Sequence, residues 1–91
     1  MKNLLKLGEL KTRRLTKLNN KIMNRKPVIS SNIASIGYDE ASETLEIEFK
    51  NGGIYQYFDV PERIYKDIMG TGSKGEYLAQ NIKGHYRYSK V

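Results

Sequence analysis

Two tyrosines in a strand-like segment are the side chains of this sequence best suited to holding a planar ligand. Tyr55 and Tyr57 are two residues apart, so in a strand both rings lie on one face. Neighbouring rings on a sheet form a platform on which nucleic-acid bases stack, at roughly 1–3 kcal/mol per base. The alternative is that both rings pack into the core with their hydroxyls at its rim, because the strand must bury one of its faces.

The C-terminal segment combines aromatic rings with positive charges at short intervals. Cations in such a segment suit the phosphates of a single nucleic-acid strand, and rings suit its bases. An ordinary edge strand that packs its tyrosines inward is the alternative. The residues concerned are Lys83, His85, Tyr86, Arg87, Tyr88 and Lys90.

The segment G-T-G-S-K-G-E-Y, residues 70–77, has the glycine spacing of a phosphate-binding P-loop. However, Glu76 and Tyr77 stand where that loop needs a lysine and a hydroxyl residue, and a helix rather than a strand precedes it. Ser73 and Glu76 instead match the capping box that starts a helix. The alternative is a single phosphate held by the backbone N–H groups after Ser73, with Lys74 beside it.

The sequence offers little for catalysis or for metal binding. It contains no cysteine, which excludes disulfides and thiolate zinc sites within it. His85 is the single histidine, and a histidine without a clustered carboxylate or cysteine is rarely a metal ligand or a general base. Asp39, Glu40 and Glu43 share one turn and are better explained as solvated loop residues. We therefore predict a protein that is not an enzyme, with no cofactor and no metal site.

Positive charge is concentrated at the start of the chain. Residues 1–27 hold nine basic side chains against the single acid Glu9, whereas residues 28–91 hold seven basic side chains against nine acids. Such a segment attracts nucleic acid, anionic lipid or an acidic protein without choosing among them. The basic residues that we assign to nucleic-acid backbone contacts are Lys11, Arg13, Arg14 and Lys17.

The same segment has the leucine spacing of an amphipathic helix. The apolar positions between Leu4 and Met23 form a stripe that is interrupted at Lys11, and Pro27 ends it. The stripe either packs on the chain's own domain or pairs with a second copy, which would give a homodimer. With no apolar run long enough for a transmembrane segment or a secretory signal, we predict a cytoplasmic protein, with an organelle-targeting peptide as the alternative.

The middle of the chain has the alternation of apolar and polar residues that is typical of strands. Residues 31–39, 44–50 and 54–58 each alternate, and Asn-Gly-Gly between the last two is a strong hairpin signal. Glu46 and Glu48 fall on the polar face of the middle strand, which we expect to be solvated. The pattern predicts a three-stranded antiparallel meander.

Two short helices follow the strands. The first is predicted to begin near Pro61, with Asp59 or Val60 as its N-cap, and to end at Gly70. The second starts at Ser73 and ends by Gly84. The predicted fold class is therefore α+β: a three-stranded antiparallel meander followed by two short helices and preceded by the basic amphipathic helix.

Four motifs run in order through the chain from Val28 to Val91. They are S-S-N-I-A-S-I-G-Y-D-E, T-L-E-I-E-F, the Y-x-Y of I-Y-Q-Y-F-D-V-P, and S-K-G-E-Y-L-A-Q-N-I-K-G-H-Y-R-Y-S-K-V. Together they resemble the KTSC domain, a small module named from its place at the C-terminus of some lysyl-tRNA synthetases and also found as a stand-alone bacterial or phage protein. Leu78 and Ala79 depart from the family's usual phenylalanine and asparagine.

The resemblance implies a division of the chain and a class of ligand. Residues 27–91 would form the KTSC-like domain and residues 1–26 a basic helical extension. The synthetase context implies RNA binding. The sequence thus predicts a small non-catalytic nucleic-acid-binding module, for RNA rather than DNA, whose basic arm contacts the backbone while tyrosines stack on bases.

Two other functions fit the same features. One is a protein-interaction module, such as a phage-type inhibitor that docks on a larger nucleic-acid-processing complex. The other is an amphipathic anchor that lies on an anionic membrane surface.

Overall fold

Three long strands with alternating apolar residues form the centre of the sheet. The computed structural model describes residues 23–91, and within that range there are five strands and two helices. In chain order they are β1 (Arg25–Pro27), β2 (Ile33–Asp39), β3 (Thr44–Phe49), β4 (Ile54–Tyr57), α1 (Glu62–Gly70), α2 (Lys74–Asn81) and β5 (Tyr88–Lys90). All neighbouring strands are antiparallel, in the order β1-β2-β3-β4-β5.

The predicted three-stranded meander is wrong in its strand count, because a short strand is added at each edge of the sheet. β1 and β5 are three residues long, and a segment of that length shows no alternation that a sequence pattern could reveal. β1 also contains Pro27, which lacks the N–H that a central strand would need but is tolerated at an edge. The predicted amphipathic helix, its pairing with a second copy, and Lys11, Arg13, Arg14 and Lys17 lie outside the described residues.

The hairpin between β3 and β4 turns where Asn-Gly-Gly predicts it. Gly52 has φ +99°, a conformation that L side chains rarely adopt, so glycine is required there. The side-chain oxygen of Asn51 accepts a hydrogen bond from the Gly53 N–H at 2.9 Å. This turn fixes the β3–β4 register, in which Leu45 pairs with Tyr57 and Ile47 with Tyr55.

The helices cover one face of the sheet and form the core with it. α1 buries Ile64 and Ile68, α2 buries Leu78, and Ile82 is buried immediately after α2. Burying an aliphatic side chain of this size contributes roughly 1.5–3 kcal/mol, so this apolar contact holds the helices on the sheet. The sheet and the β4–α1 connection supply Ile33, Ile36, Leu45, Ile47, Tyr57 and Val60.

The helix starts differ from the predicted caps. The residue at the N-cap position of α1 is Pro61 rather than Asp59 or Val60. Ser73 is at the N-cap position of α2 as predicted, but its side chain makes no capping hydrogen bond, so the predicted capping box does not form. The Lys74 ammonium donates to the carbonyl oxygens of Met69 and Thr71 at 3.2 and 2.7 Å, and thereby satisfies acceptors at the end of α1.

The sheet face opposite the helices carries a row of polar residues that is more buried than the sequence predicts. Arg25, Gly37, Glu46 and Gln56 are successive partners across four strands. Arg25 donates to the Glu46 carboxylate, and Gln56 donates to its other oxygen at 2.8 Å. Glu46 is only 2% exposed, so the prediction that it lies on a solvated face is wrong: its neighbours in the row cover it.

Candidate nucleic-acid interface

An aromatic cavity lies on the helix side of the sheet, between β4, β5 and the residues that follow α2. Its volume is about 480 Å³, within the range of roughly 300–1,000 Å³ typical of small-ligand sites. We call it the aromatic cleft. Its lining residues are Phe49, Asn51, Tyr55, Tyr57, Lys83, Gly84 and Tyr88.

The rings of the aromatic cleft form one continuous cluster. Tyr88 lies 5.9 Å from both Tyr55 and Tyr57 between ring centroids, tilted by 44° and 38°. Phe49 meets Tyr55 edge-on at 5.7 Å. The β4–β5 register explains this arrangement, because Tyr57 pairs directly with Tyr88. Tyr55 lies two residues before Tyr57 on β4 and therefore on the same face.

The three tyrosines differ sharply in exposure. Tyr88 is 62% exposed on the edge strand β5, Tyr55 is half-buried, and Tyr57 is 3% exposed and belongs to the core. Tyr88 therefore offers a free ring surface, whereas Tyr57 forms the floor of the cleft. Burial raises the pKa of the Tyr57 phenol above its ordinary value of 10.0, and the neighbouring Tyr55 and Tyr88 phenols raise that pKa further.

Two lysines place positive charge over the rings of the aromatic cleft. The Lys83 ammonium lies 5.7 Å from the Phe49 centroid, and the Lys90 ammonium lies 6.0 Å from the Tyr55 centroid. Both lysines are exposed, which leaves their remaining N–H donors available to an anion. Rings flanked by exposed ammonium groups can hold a base and its phosphate at the same time.

The end of α2 brings Lys83 to the cleft. The N–H groups of Ile82 and Lys83 both donate to the Leu78 carbonyl, at 3.0 and 2.9 Å, so the chain closes a wider, π-type turn after α2. Gly84 then takes φ +82°, which reverses the chain toward β5. Burial of Ile82 beneath this turn fixes the position of Lys83.

Several residues that the sequence analysis assigned to the site do not line the aromatic cleft. Ser73 and Lys74 lie at the start of α2, the opposite end from Lys83. The His85 imidazole Nε2 is 3.1 Å from the Gln80 carbonyl oxygen, and Tyr86 packs on the core.

Arg87 also lies outside the aromatic cleft. It forms an exposed ion pair with Asp59 at 2.9 Å and lies 5.4 Å from the Phe58 centroid. Of the predicted site residues in the described range, the structure brings together Tyr55, Tyr57, Lys83 and Tyr88.

Three residues that line the cleft, Phe49, Asn51 and Gly84, are not among the predicted site residues. In the sequence, Phe49 belongs to the alternating segment 44–50, Asn51 to the hairpin signal and Gly84 to the end of the second helix. The hairpin brings Phe49 and Asn51 close to Tyr55, because the chain turns back after β3 into β4, which begins at Ile54. A search for aromatic residues on either side of the hairpin signal would have found Phe49.

A second cavity, of about 590 Å³, lies on the sheet face opposite the helices. Arg25, Glu46 and Gln56 are among its polar lining residues, and Ile54 and Phe58 are among its apolar ones. Because Glu46 already accepts from both Arg25 and Gln56, this carboxylate is engaged within the protein.

The described residues offer neither a metal cluster nor a membrane-spanning helix. Within residues 23–91, no three His, Cys, Asp or Glu side chains are grouped so as to hold a metal ion. Neither helix of that range has the length and apolar character needed to cross a bilayer.

Comparison with protein families places this chain in a known group. The family model described as the KTSC domain matches residues 29–86, which is more than half of the chain. The chain belongs to the KTSC domain family. The resemblance predicted from its four motifs is thus confirmed.

Stand-alone KTSC proteins are among the relatives of this chain. A crystal structure of a KTSC domain protein from Yersinia pestis matches with a TM-score of 0.74 and 46% sequence identity, over 77% of this chain and 99% of that one. An uncharacterized protein from Stutzerimonas stutzeri is 36% identical over 70 residues, which are 76% of this chain and 99% of its own length. In both relatives the matched module accounts for nearly the whole protein.

This chain also matches a part of some much larger proteins. A lysine–tRNA ligase from Nostoc punctiforme is 34% identical over 59 residues, which are 65% of this chain and 10% of the ligase. The chain therefore spans about a tenth of the length of the ligases that it matches.

Most of the aromatic cleft lies inside the KTSC match. Phe49, Tyr55, Tyr57 and Lys83 fall within residues 29–86, whereas Tyr88 follows the matched range by two residues. The exposed ring of the cleft is thus supplied by β5, at the edge of the KTSC domain.

Proposed function

We propose that this protein binds single-stranded RNA without transforming it, and that the aromatic cleft is the place where bases are held. The observation that carries the proposal is the exposed Tyr88 ring beside Tyr55 and Tyr57, with the ammonium groups of Lys83 and Lys90 over the same cluster. Rings of this kind stack on bases of any sequence, and the two lysines supply charge for phosphates.

The relatives support an RNA ligand. Three of the matching proteins are named as lysine–tRNA ligases, and a ligase of that name handles a transfer RNA. Since this chain corresponds to about a tenth of those proteins, we transfer only the association with RNA and not their reaction.

The basic segment at the start of the chain would add affinity that does not depend on sequence. Residues 1–27 carry nine basic side chains and one acid, whereas the rest of the chain has a small excess of acids. Each phosphate neutralised by a cation releases counterions, so binding should weaken steeply as salt increases. In this proposal the segment holds the strand close while the aromatic cleft engages a base.

The test is fluorescence anisotropy of a labelled single-stranded RNA with the full-length chain and four variants. Tyr88→Ala should weaken binding about tenfold through loss of one stacked base, while its fold remains intact because the ring is mostly exposed. Lys83→Gln and Lys90→Gln should each weaken binding and reduce the slope of log affinity against log salt by about 1.

The matched control is Lys66→Gln on α1. Lys66 is exposed and pairs only loosely with Glu62 at 3.9 Å, so its replacement changes the net charge by the same amount as Lys83→Gln but leaves the aromatic cleft untouched. Equal effects of Lys66→Gln and Lys83→Gln would mean that only net charge matters. Unchanged affinity in Tyr88→Ala would contradict the cleft as the binding site.

A further inference from the structure

The Tyr57 hydroxyl is a buried polar group without a hydrogen-bond partner in the described part of the chain. The Tyr57 side chain is 3% exposed and lines the aromatic cleft. The Tyr38 hydroxyl, on the same sheet face two strands away, donates to the Val60 carbonyl at 2.6 Å, whereas no hydrogen bond joins the Tyr57 hydroxyl to another group among residues 23–91. A buried hydroxyl without a partner costs stability, so a partner that enters the cleft would recover that cost.

The Tyr57 phenol keeps its proton throughout the neutral range. Burial, followed by the Tyr55 and Tyr88 phenols, raises its pKa above 10.0, which favours the neutral form. A neutral phenol can donate one hydrogen bond. The floor of the cleft therefore presents a hydrogen-bond donor.

A second donor lies at the rim of the cleft. The side-chain oxygen of Asn51 is held by the Gly53 N–H at 2.9 Å, which fixes the orientation of the amide group. Asn51 is exposed, and its amide nitrogen donates to no group in the described part of the chain. Because an amide nitrogen carries two hydrogens, it is free to donate to a ligand.

We infer that the aromatic cleft reads the edge of one unstacked base, with the Tyr57 hydroxyl as the specificity-determining group. Tyr88 would lie against the plane of the base, while Tyr57 and Asn51 donate to its edge. Two donors fit a base that presents two carbonyl oxygens, such as uracil. They fit adenine less well, because the Watson–Crick and Hoogsteen edges of adenine each offer one ring-nitrogen acceptor beside the amino group, which is itself a donor. This inference rests on the proposed RNA binding and adds a base preference to it.

Oligouridylate and oligoadenylate of equal length are the probes for this inference. Wild-type, full-length protein should bind oligouridylate more tightly by about threefold to tenfold, the effect of one hydrogen bond. Tyr57→Phe removes one oxygen and keeps the ring, so it should abolish that preference by weakening oligouridylate binding while oligoadenylate affinity changes by less than about twofold.

The matched control for this experiment is Tyr65→Phe. Tyr65 stacks on Tyr38 with ring centroids 5.1 Å apart, outside the aromatic cleft, and its loss of the same oxygen should leave both affinities unchanged. Thermal melting of Tyr57→Phe checks that the fold is retained.

The possible results separate this inference from the proposed function. If both RNAs bind wild-type protein equally, or if Tyr57→Phe weakens both to the same degree, the base-reading role is wrong and RNA binding stands. If neither RNA binds wild-type protein, both proposals fail. Loss of the preference in Tyr57→Phe, with intact stability, supports the inference.

Discussion

Arg25 reaches across Gly37 to pair with the buried carboxylate of Glu46. The three residues are successive partners on β1, β2 and β3, so the absence of a side chain at the middle position opens the path between the outer two. Arg25 also donates to Ser35 Oγ at 3.0 Å, and Ser35 donates to Glu48 at 2.7 Å. The short strand β1 is thereby fastened to the centre of the sheet by its side chain as well as its backbone.

Arg25→Ala should destabilise the fold by about 3 kcal/mol, because it leaves the charge of Glu46 buried without its cation. Urea denaturation measures the free energy of unfolding. Lys66→Ala is the control, since its ion pair with Glu62 is exposed and should contribute almost nothing. Equal stability of the two variants would show that Glu46 finds enough solvent without Arg25.

Gly37→Ala should destabilise the fold by roughly 1–3 kcal/mol through overpacking. A Cβ at this position would lie 2.8 Å from the Asn24 carbonyl oxygen and 3.0 Å from the Arg25 Cγ, so β1 would have to shift. At Gly72 a Cβ would meet nothing within 4 Å, which makes Gly72→Ala a matched control. Thermal melting of both variants measures the difference. A melting temperature of Gly37→Ala equal to that of the wild type would contradict the prediction.

Stability should fall at alkaline pH because the phenols of Tyr38, Tyr57 and Tyr77 have raised pKa values in the folded protein, each with burial as the first cause. Well below pH 10.0, the ordinary pKa of a phenol, all three phenols are protonated in both the folded and the unfolded state, and their contribution to stability is complete. Above that pH the unfolded chain loses protons that the folded protein retains, so the free energy of unfolding falls. The loss ends once the pH exceeds the folded pKa values.

Tyr38→Phe offers a check on this pH dependence. It should cost about 1 kcal/mol near neutral pH, since the hydrogen bond to the Val60 carbonyl is lost. The same change should make the decline above about pH 10 shallower, since one raised phenol is absent. Urea denaturation across that range measures both, and a slope identical to that of the wild type would refute the assignment.

Tyr57→Ala should destabilise the fold by about 3–5 kcal/mol, because it empties a buried aromatic site in the core. Tyr88→Ala, on the exposed side of the same cluster, should cost much less. Urea denaturation of the two variants measures this contrast. Comparable losses would mean that Tyr88 is as important for packing as Tyr57.

Local patterns were sufficient to predict the central elements of the fold. The alternation of apolar and polar residues predicted β2, β3 and β4, and the Asn-Gly-Gly signal located the hairpin between β3 and β4. Gly70 marked the end of α1. β1 was missed, and β5 was considered only as an alternative for the C-terminal segment, because pairing with a neighbour, rather than any pattern of their own, makes three residues a strand. The burial of Glu46 was missed for a related reason, since its cover comes from Arg25, 21 residues away.

Only part of the aromatic cleft could be predicted from the sequence. Tyr55 and Tyr57 were singled out by their spacing, but which ring would be exposed depends on β5, which covers Tyr57 with Tyr88. The hydrogen-bonding role proposed for Tyr57 depends on an unpaired hydroxyl, and no pattern of residues reveals which hydroxyls find partners.

The order of the strands sets a minimum footprint for any ligand that uses the whole molecule. Four inter-strand steps of about 4.8 Å separate β1 from β5, so the edge strand with the exposed Lys26 lies roughly 19 Å from the edge strand that carries Tyr88 of the aromatic cleft. On the proposed function, a mononucleotide would reach only the cleft. An oligonucleotide in contact with both β1 and β5 would have to extend over the full width between them, so ligand length would itself become a criterion of selection.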